Sequence, residues 1–450
     1  MRHTLHEMLN ALLVIVFLAV VPAHAQDRSS SAVIFENVRI FDGTGDRLSG
    51  PSNVLIVGGV IKTISSAPIA DPPDVTVQRL RGDGRTLMPG LIDSHWHTMF
   101  VAPSMPQLLD GDLGYLTLLA GVEAEATLMR GFTTVRDLGG PSFALKRAID
   151  EGRIVGPRIY PSGAMITITG GHGDFRSRSD LPRSLGAPLT MPELINASQL
   201  ADSPDEVRMR TREQLLLGAS QIKLTAGGGV ASPHSPLDVS TFTEEELRAA
   251  VQAAANWGTY VGVHAYTPEA IQRSIAAGVK VIEHGHLMDE ASARLIAEKG
   301  IWLSFQPFSD DGFMAPMPAS SVARMRQIFA GTERTVALAR KYKIKMAWGT
   351  DILFSAANAT RQGVQLARMA QWYSAAEALS MATASNGELL QLSGRRNPYP
   401  GRLGVVQEGA LADLLLVDGN PLTDIKLIEN PGKNFLVIMK DGKVFKNLVR

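Results

Sequence analysis

Five stretches of the chain share one signature, a helical alternation of polar and apolar positions that stops at a glycine and gives way to an apolar, β-branched run. "MRGFTTVRDLG" turns at Gly131, "LLLGASQIKLTAGGG" at Gly218, "NWGTYVGVHAY" at Gly258, "AAGVKVIEHG" at Gly278 and "EKGIWLSFQP" at Gly300. Glycine just beyond a helix takes the left-handed conformation that closes the last turn. Helix starts are equally legible. Thr243 with Glu246 and Ser374 with Glu377 are capping boxes, and Thr267-Pro268 puts proline at a first helical position. The apolar runs predict strands over 87–94, 132–137, 158–162, 219–225, 259–264, 280–284, 301–306 and 345–350. Eight strands alternating with helices predict an α/β fold, a (β/α)8 TIM-type barrel. No G-x-G-x-x-G follows the first strand, which counts against a doubly wound open sheet.

The two ends of the chain read differently. "AVIFENVRIFDG", "NVLIVGGVIKTIS" and "RTLMPG" near the start, and "GVVQEGALADLLLVDGN" and "NFLVIMKDGKVFKN" near the end, alternate like short strands broken by turn residues. They predict a small β-sandwich domain built from both termini, residues 26–88 plus 398–450, around a barrel at 89–397. The Ser-, Pro- and Arg-rich stretch 176–203 is the expected long loop insertion. There is no internal repeat and no low-complexity segment.

Composition narrows the setting. Lys plus Arg and Asp plus Glu number 44 each, so no net charge draws the chain to nucleic acid or an anionic membrane. Arg2, the apolar run Ala11–Val21 and Ala23-His24-Ala25 read as a signal peptide over 1–25. The run is shorter than the roughly 20 residues of a spanning helix. An exported enzyme, periplasmic or secreted in a bacterium and free of the membrane after cleavage, is the expectation. With no cysteine in the sequence, disulfides are excluded and any metal must be held by His, Asp, Glu or a modified Lys.

In such a barrel the chemistry sits at the C-terminal ends of the strands. His95 and His97 in "LIDSHWHTMF" fall there on strand one and share a face, with Trp96 turned toward the barrel wall. His264 ends strand five, His284 strand six and Asp351 strand eight. One such histidine is usually a satisfied core residue. Four histidines and an aspartate on four strands are hard to explain as packing, given the cost of unpaired buried polar groups. Lys223 interrupts the apolar strand four. It either reaches to the barrel rim or is carboxylated by carbon dioxide, an anionic carbamate that can bridge two cations. "TGGHGD" and "AGGGVASP" lack the lysine and hydroxyl of a phosphate-binding loop and read as places of close backbone approach. Arg176 and Arg178 are candidates to clamp a substrate carboxylate. His234 and His286 lie near the ligand strands without being needed to complete the set.

This set of residues resembles the amidohydrolase superfamily of metal-dependent hydrolases. The resemblance runs from "LMPGLIDSHWH" to "GALADLLLVDGNPL". "TGGHGDFR", "IKLTAGGGVASP", "HAYTPEAI" and "IEHGH" resemble its imidazolonepropionase-related branch, with Xaa-Pro dipeptidase, Xaa-Arg/Lys carboxypeptidase and ochratoxin-type amidases. The resemblance implies two divalent metal ions, zinc by donor type. His95, His97 and Asp351 would hold the buried one, His264 and His284 the exposed one, and carboxylated Lys223 would bridge them. It implies attack on an amide by a bridging hydroxide, with Asp351 as proton shuttle and His172 and Tyr266 near the developing oxyanion. Substrates would be dipeptide-like or N-acyl amino acids. Relatives often carry an acidic residue where this chain has His234, a departure that bears on specificity. The competing reaction is a mononuclear cyclic-amide hydrolase or deaminase, which does not need Lys223. A metal-free scaffold would have lost ligands, and none is missing. Homo-oligomerisation stays open.

Overall fold

The glycine-ended helices form as the pattern predicts. The backbone at Gly131, Gly218, Gly258, Gly278 and Gly300 is left-handed, with φ from +62° to +103°. Both capping boxes are present, and Thr267 caps the helix that Pro268 opens. The computed structural model describes residues 31–181, 183–232, 234–310 and 317–449. The expected signal segment lies outside them.

Eight parallel strands follow the expected order. Strands one to eight are Leu91–Trp96, Phe132–Asp137, Arg158–Pro161, Ile222–Thr225, Val261–Ala265, Val281–His284, Trp302–Phe305 and Lys345–Trp348. Strands one to three pair in sequence, as do four to eight. Between the two runs, strand three is interrupted at residues 162–164 and resumes as Met165–Thr167, which pairs with strand four. The ring closes where Ser94 donates to the Trp348 carbonyl at 2.8 Å and Asp351 N–H donates to the His95 carbonyl at 2.8 Å. Asn386 clamps the same seam, its amide donating to the Ile92 and Trp348 carbonyls at 2.7 Å each. This is the TIM-barrel type of α/β fold.

Outward side chains of the strands, such as Leu224, Val263, Ile282 and Leu303, pack on Leu247, Ile271, Ile296 and Val336 of the surrounding helices. Strands from the two chain ends form a separate eight-stranded sheet. Leu414–Val417 lies antiparallel to Thr86–Pro89, which joins the C-terminal strands to the N-terminal ones. Ala32–Ile40 serves both halves: it pairs with Ser52–Val57 and Val77–Arg81, then, beyond a bulge at Asn37, with Thr86 and Leu87. Phe35, Val54 and Ile56 from one half share a buried cluster with Leu414, Leu416 and Val437 from the other. The sheet is fixed to the barrel by Phe435 and Ile438, which join the main core, and by buried Arg158, paired with Asp413 at 2.9 Å. No described helix is long and apolar enough to cross a membrane.

Two expectations need correction, and one strand was not foreseen. The strand expected over 87–94 is two, Thr86–Pro89 in the terminal sheet and Leu91–Trp96 in the barrel, separated where Gly90 N–H turns to the Asp413 carbonyl. The stretch 176–203 is not wholly loop. Its buried end, Ser198–Leu200, pairs in parallel with Met165–Thr167, a segment too short to show a period. Val77–Arg81 is a strand whose alternation is disguised by exposed arginines; Arg79 pairs with Glu36 and Asp71.

Candidate metal centre

His95 lies near the end of strand one and His97 one residue past it, so the period of two aims both imidazoles into the barrel mouth. Trp96 is turned away, into a cluster with Met99, Phe100 and Leu116. The Nε2 atoms of His95 and His97 lie 3.3 Å and 3.2 Å from one oxygen, Oδ1 of Asp351. Among the described residues, these three offer the one group of ligand atoms within 4.8 Å of each other. Asp351 reaches the position through a left-handed backbone, φ +54°.

His284 ends strand six with φ +77°, an unusual conformation for a residue with a Cβ. In a regular strand Glu283 and His284 would face opposite ways. Here both meet His95: Glu283 Oε2 lies 3.0 Å from His95 Nδ1, and the His284 ring centre is 4.9 Å from that of His95. His264, from strand five, is 4.5 Å from His284 by ring centres. Its Nε2–H donates to the Gly228 carbonyl at 2.8 Å. Lys223 of strand four is 2% exposed.

The charge states follow from burial and pairing. Burial alone would raise the Glu283 carboxyl, but Arg136 and then His95 pull it down to about 2. Arg136 donates to both its oxygens, at 2.7 Å and 2.9 Å, and to the Ser94 carbonyl at 2.6 Å. Burial pushes His95 down to about 4, so its ring is neutral at pH 7. An ionised Glu283 only accepts, so the single ring proton of His95 sits on Nδ1. Nε2 then presents a lone pair to a carboxylate oxygen. Burial would raise Asp351, yet His95, His97 and Lys223 hold it below the usual carboxylate range. A lone pair facing an anionic oxygen is repulsive unless a cation lies between them. Two imidazoles and a carboxylate are a donor set that divalent zinc, manganese or cobalt accepts. His284 is oriented in the same way, its Nδ1–H donating to Gln306 Oε1 at 2.6 Å and its Nε2 left free.

The glycine-rich stretches build the opposite wall. A Cβ at Gly229 would collide with the His172 ring, which is why that ring can lie 4.3 Å from His264 by centres. Ser232 accepts from Gly173 N–H at 2.8 Å and lies 3.0 Å from His172 Nδ1, which ties that ring to the loop after the glycines. Burial pushes His172 down to about 4, which keeps the ring neutral. Tyr266 stacks on His284 at 4.8 Å, and burial together with Asp351 raises its hydroxyl well above the ordinary value.

Most of the sequence-predicted residues meet here: His95, His97, Asp351, His264, His284, Lys223, His172 and Tyr266. Arg176 is the exception. Its Nε and Nη2 donate to Asp174, at 2.9 Å and 2.7 Å, so that edge of the guanidinium is occupied within its own loop. Arg178 is exposed. His286 lies against Phe305 and Phe308, with Nε2 donating to the Gln306 carbonyl at 2.9 Å. His234 is half-buried on the loop after the glycines. Glu283, Arg136, Gln306 and Ser232 were not foreseen. A charged residue inside an apolar strand, as in "VIEHGH" and "TTVRDLG", was the available signal for the first two.

The amidohydrolase family profile matches residues 86–445. Ochratoxinase of Aspergillus niger is 31% identical over 436 residues, which cover 93% of this chain and 88% of that protein. A crystal structure of a prolidase complexed with N-methylphosphonate-L-proline is 32% identical with a TM-score of 0.84, covering 93% of this chain and 100% of the other. A Xaa-Pro dipeptidase with methionine bound in its active site is 29% identical with a TM-score of 0.80, at the same coverage.

Proposed function

The chain belongs to the amidohydrolase family and is a hydrolytic enzyme acting on C–N bonds; from that premise we propose that it is a binuclear metal-dependent hydrolase of dipeptide-like or N-acyl amino acid substrates. The observation that carries this reading is the convergence of His95 Nε2 and His97 Nε2 on one Asp351 oxygen, at 3.3 Å and 3.2 Å. His95, His97 and Asp351 would hold one ion, His264 and His284 the other, and a carboxylated Lys223 would join them. Bound there, two divalent ions, zinc by donor type, would polarise the scissile carbonyl and bring the pKa of a water to near neutrality.

The chain's own residues divide the remaining work. Burial lowers Lys223 to about 8, so an appreciable fraction is the neutral amine. That amine attacks the carbon of carbon dioxide and loses a proton, which yields the carbamate. Asp351, ionised and facing the two histidines, accepts a proton from the attacking water and delivers it to the leaving nitrogen. The His172 ring and the hydroxyl of Tyr266 are the donors for the oxyanion. One such donor is worth about 3–4 kcal/mol of barrier. The L-proline derivative bound to one related prolidase and the naming of another relative as a Xaa-Pro dipeptidase support a dipeptide-like substrate.

The proposed layout is a barrel at 89–397, a β-sandwich from 26–88 plus 398–450, and an export signal at 1–25 that places the enzyme in the periplasm or outside the cell. The test is metal analysis combined with a screen of zinc-, manganese- and cobalt-loaded protein against dipeptides and N-acyl amino acids. Two ions per chain and release of a C-terminal amino acid are expected. One tightly bound ion per chain, with turnover only of cyclic amides or amidines, would select the mononuclear alternative. That His95, His97 and Asp351 form the one three-ligand group among the described residues is what favours that alternative; the buried Lys223 opposes it.

A further inference from the structure

The seam between the terminal sheet and the barrel holds a cleft of about 370 Å³, large enough for a small molecule. It lies at the start of strand three, at the opposite end of the barrel from the metal centre. Arg158 of that strand lines one side. Lys440 and Lys443, from the hairpin of Phe435–Lys440 and Lys443–Asn447, line the other. The hairpin turns at Asp441 and Gly442, both with a left-handed backbone, and so sets the two lysines directly opposite each other. Residues opposed across antiparallel strands share a face, where like charges are destabilising. The nearby acids are engaged elsewhere. Asp413 accepts from Arg158 Nε and Nη2 at 2.9 Å and 3.1 Å, and Asp441 accepts from the same Nη2 at 3.2 Å. Asp150 accepts from Lys146 and from the Tyr399 hydroxyl, the latter at 2.7 Å. Among the described residues no carboxylate lies within ion-pair distance of Lys440 or Lys443, and Arg158 Nη1 makes no hydrogen bond. Lys440 is half-buried, and burial lowers its ammonium below the usual lysine range.

Charge and shape together define the ligand. Around the cleft Lys146, Arg158, Lys440 and Lys443 stand against Asp150, Asp413 and Asp441, an excess of one positive charge. A half-buried ammonium without a carboxylate is costly, and one that faces a second lysine is more so. One singly charged anion between the two lysines offsets both costs. The neighbouring walls are apolar. Ile154, Val155 and Phe445 line them, and Lys440 Nζ lies 5.8 Å from the Phe445 ring centre. An anion held by Lys440 therefore has its body against that ring. We propose that the cleft binds a monocarboxylate on a compact apolar body, with the carboxylate received by Lys440, Lys443 and Arg158 Nη1 and the body by Ile154, Val155 and Phe445. Such a ligand ties the C-terminal hairpin to strand three, and so the terminal sheet to the barrel. The proposal does not depend on which reaction the metal centre performs.

The experiment titrates benzoate, benzamide and inorganic phosphate into the zinc-loaded full chain and reads Kd by calorimetry, with K440M and I154W beside the wild type. Benzoate is expected to bind about 10- to 100-fold more tightly than benzamide, the range of a hydrogen bond to a charged group. It should also bind more tightly than phosphate, which has no body for the apolar wall. K440M keeps the length of the side chain and should lose about 10-fold or more in benzoate affinity. I154W should lose affinity by filling the cleft with its charges intact, and it reads the same site should K440M fail to fold. Zinc also takes carboxylates, so the titration is repeated on chelated protein, where binding at the cleft persists and binding at the metal centre is lost. Without benzoate, K440M should melt no lower than the wild type, because it relieves the opposed lysines; benzoate should raise the midpoint of the wild type alone. Equal benzoate affinity in the wild type and both variants, or loss of binding on chelation, overturns the proposal. Phosphate binding as tightly as benzoate overturns the ligand class.

Discussion

The pair Arg136–Glu283 is the point at which stability and metal binding come apart. Both side chains are fully buried, Arg136 Nη2 reaches both Glu283 oxygens at 2.7 Å and 2.9 Å, and Glu283 also accepts from His95. Arg136→Met would leave a carboxylate buried without its cation, a change that costs about 3–5 kcal/mol because the orphaned charge loses its partner but not its desolvation. Glu283→Gln would leave the arginine in the same position. The double variant Arg136→Met/Glu283→Gln removes both charges and should recover a large share of the loss, so the cycle should show a coupling of about 2–3 kcal/mol. Metal binding should not follow stability. In Glu283→Gln and in the double variant, His95 Nδ1–H has lost its anionic acceptor and Nε2 becomes a poorer donor, a change that typically lowers metal affinity about 10- to 100-fold. The same pairing gives a pH signature in metal-free protein. The Glu283 carboxyl is held at about 2, below the ordinary 4.5. Its share of stability is complete above pH 4.5 and is lost as the pH falls through 2, and Glu283→Gln should lack that acid-dependent portion. Thermal or denaturant unfolding of chelated protein, with zinc titration of the reloaded variants, measures both quantities. Additive destabilisation in the double variant, or wild-type zinc affinity in Glu283→Gln, would refute the argument.

Three further outcomes are expected. Lys223→Ala should lose activity and the second equivalent of metal, with partial recovery in acetate or propionate; full activity with two ions would rule out the carbamate. Asp351→Asn should keep much of its metal while kcat falls about 10²- to 10⁴-fold, the range for a lost proton-transfer group, and unchanged turnover would reject the shuttle role. Gly229→Ala should push the His172 ring off its seat and lower kcat by about 10²-fold or more with little change in thermal midpoint, because the atoms nearest the new Cβ all belong to that ring. An unperturbed kcat there would separate His172 from the oxyanion.

What could be read from the sequence followed from local periods. His95 and His97 share a face because strand side chains repeat every two residues, and the helix-ending glycines mark where each strand begins. Those two regularities are enough to bring His95, His97, Lys223, His264, His284 and Asp351 to one barrel mouth. The groups that set their charge states obey no local rule. Glu283 and His284 are adjacent, so alternation sends them to opposite faces; only the left-handed backbone at His284 lets both reach His95. Arg136 reads as one more polar residue in strand two until the closed barrel brings it to Glu283, 147 residues later in the chain. The arginines show the same limit from the other side. Arg176 sits in a motif loop and looks available, yet Asp174, two residues away, already occupies one edge of its guanidinium. Arg324 sits in a long helix and looks solvated, yet folding turns it onto the neutral carbonyls of Val230 and Ser232. Periodicity thus selects which side chains enter the site, whereas the proton and charge each one carries depend on pairs that exist only once distant strands have met.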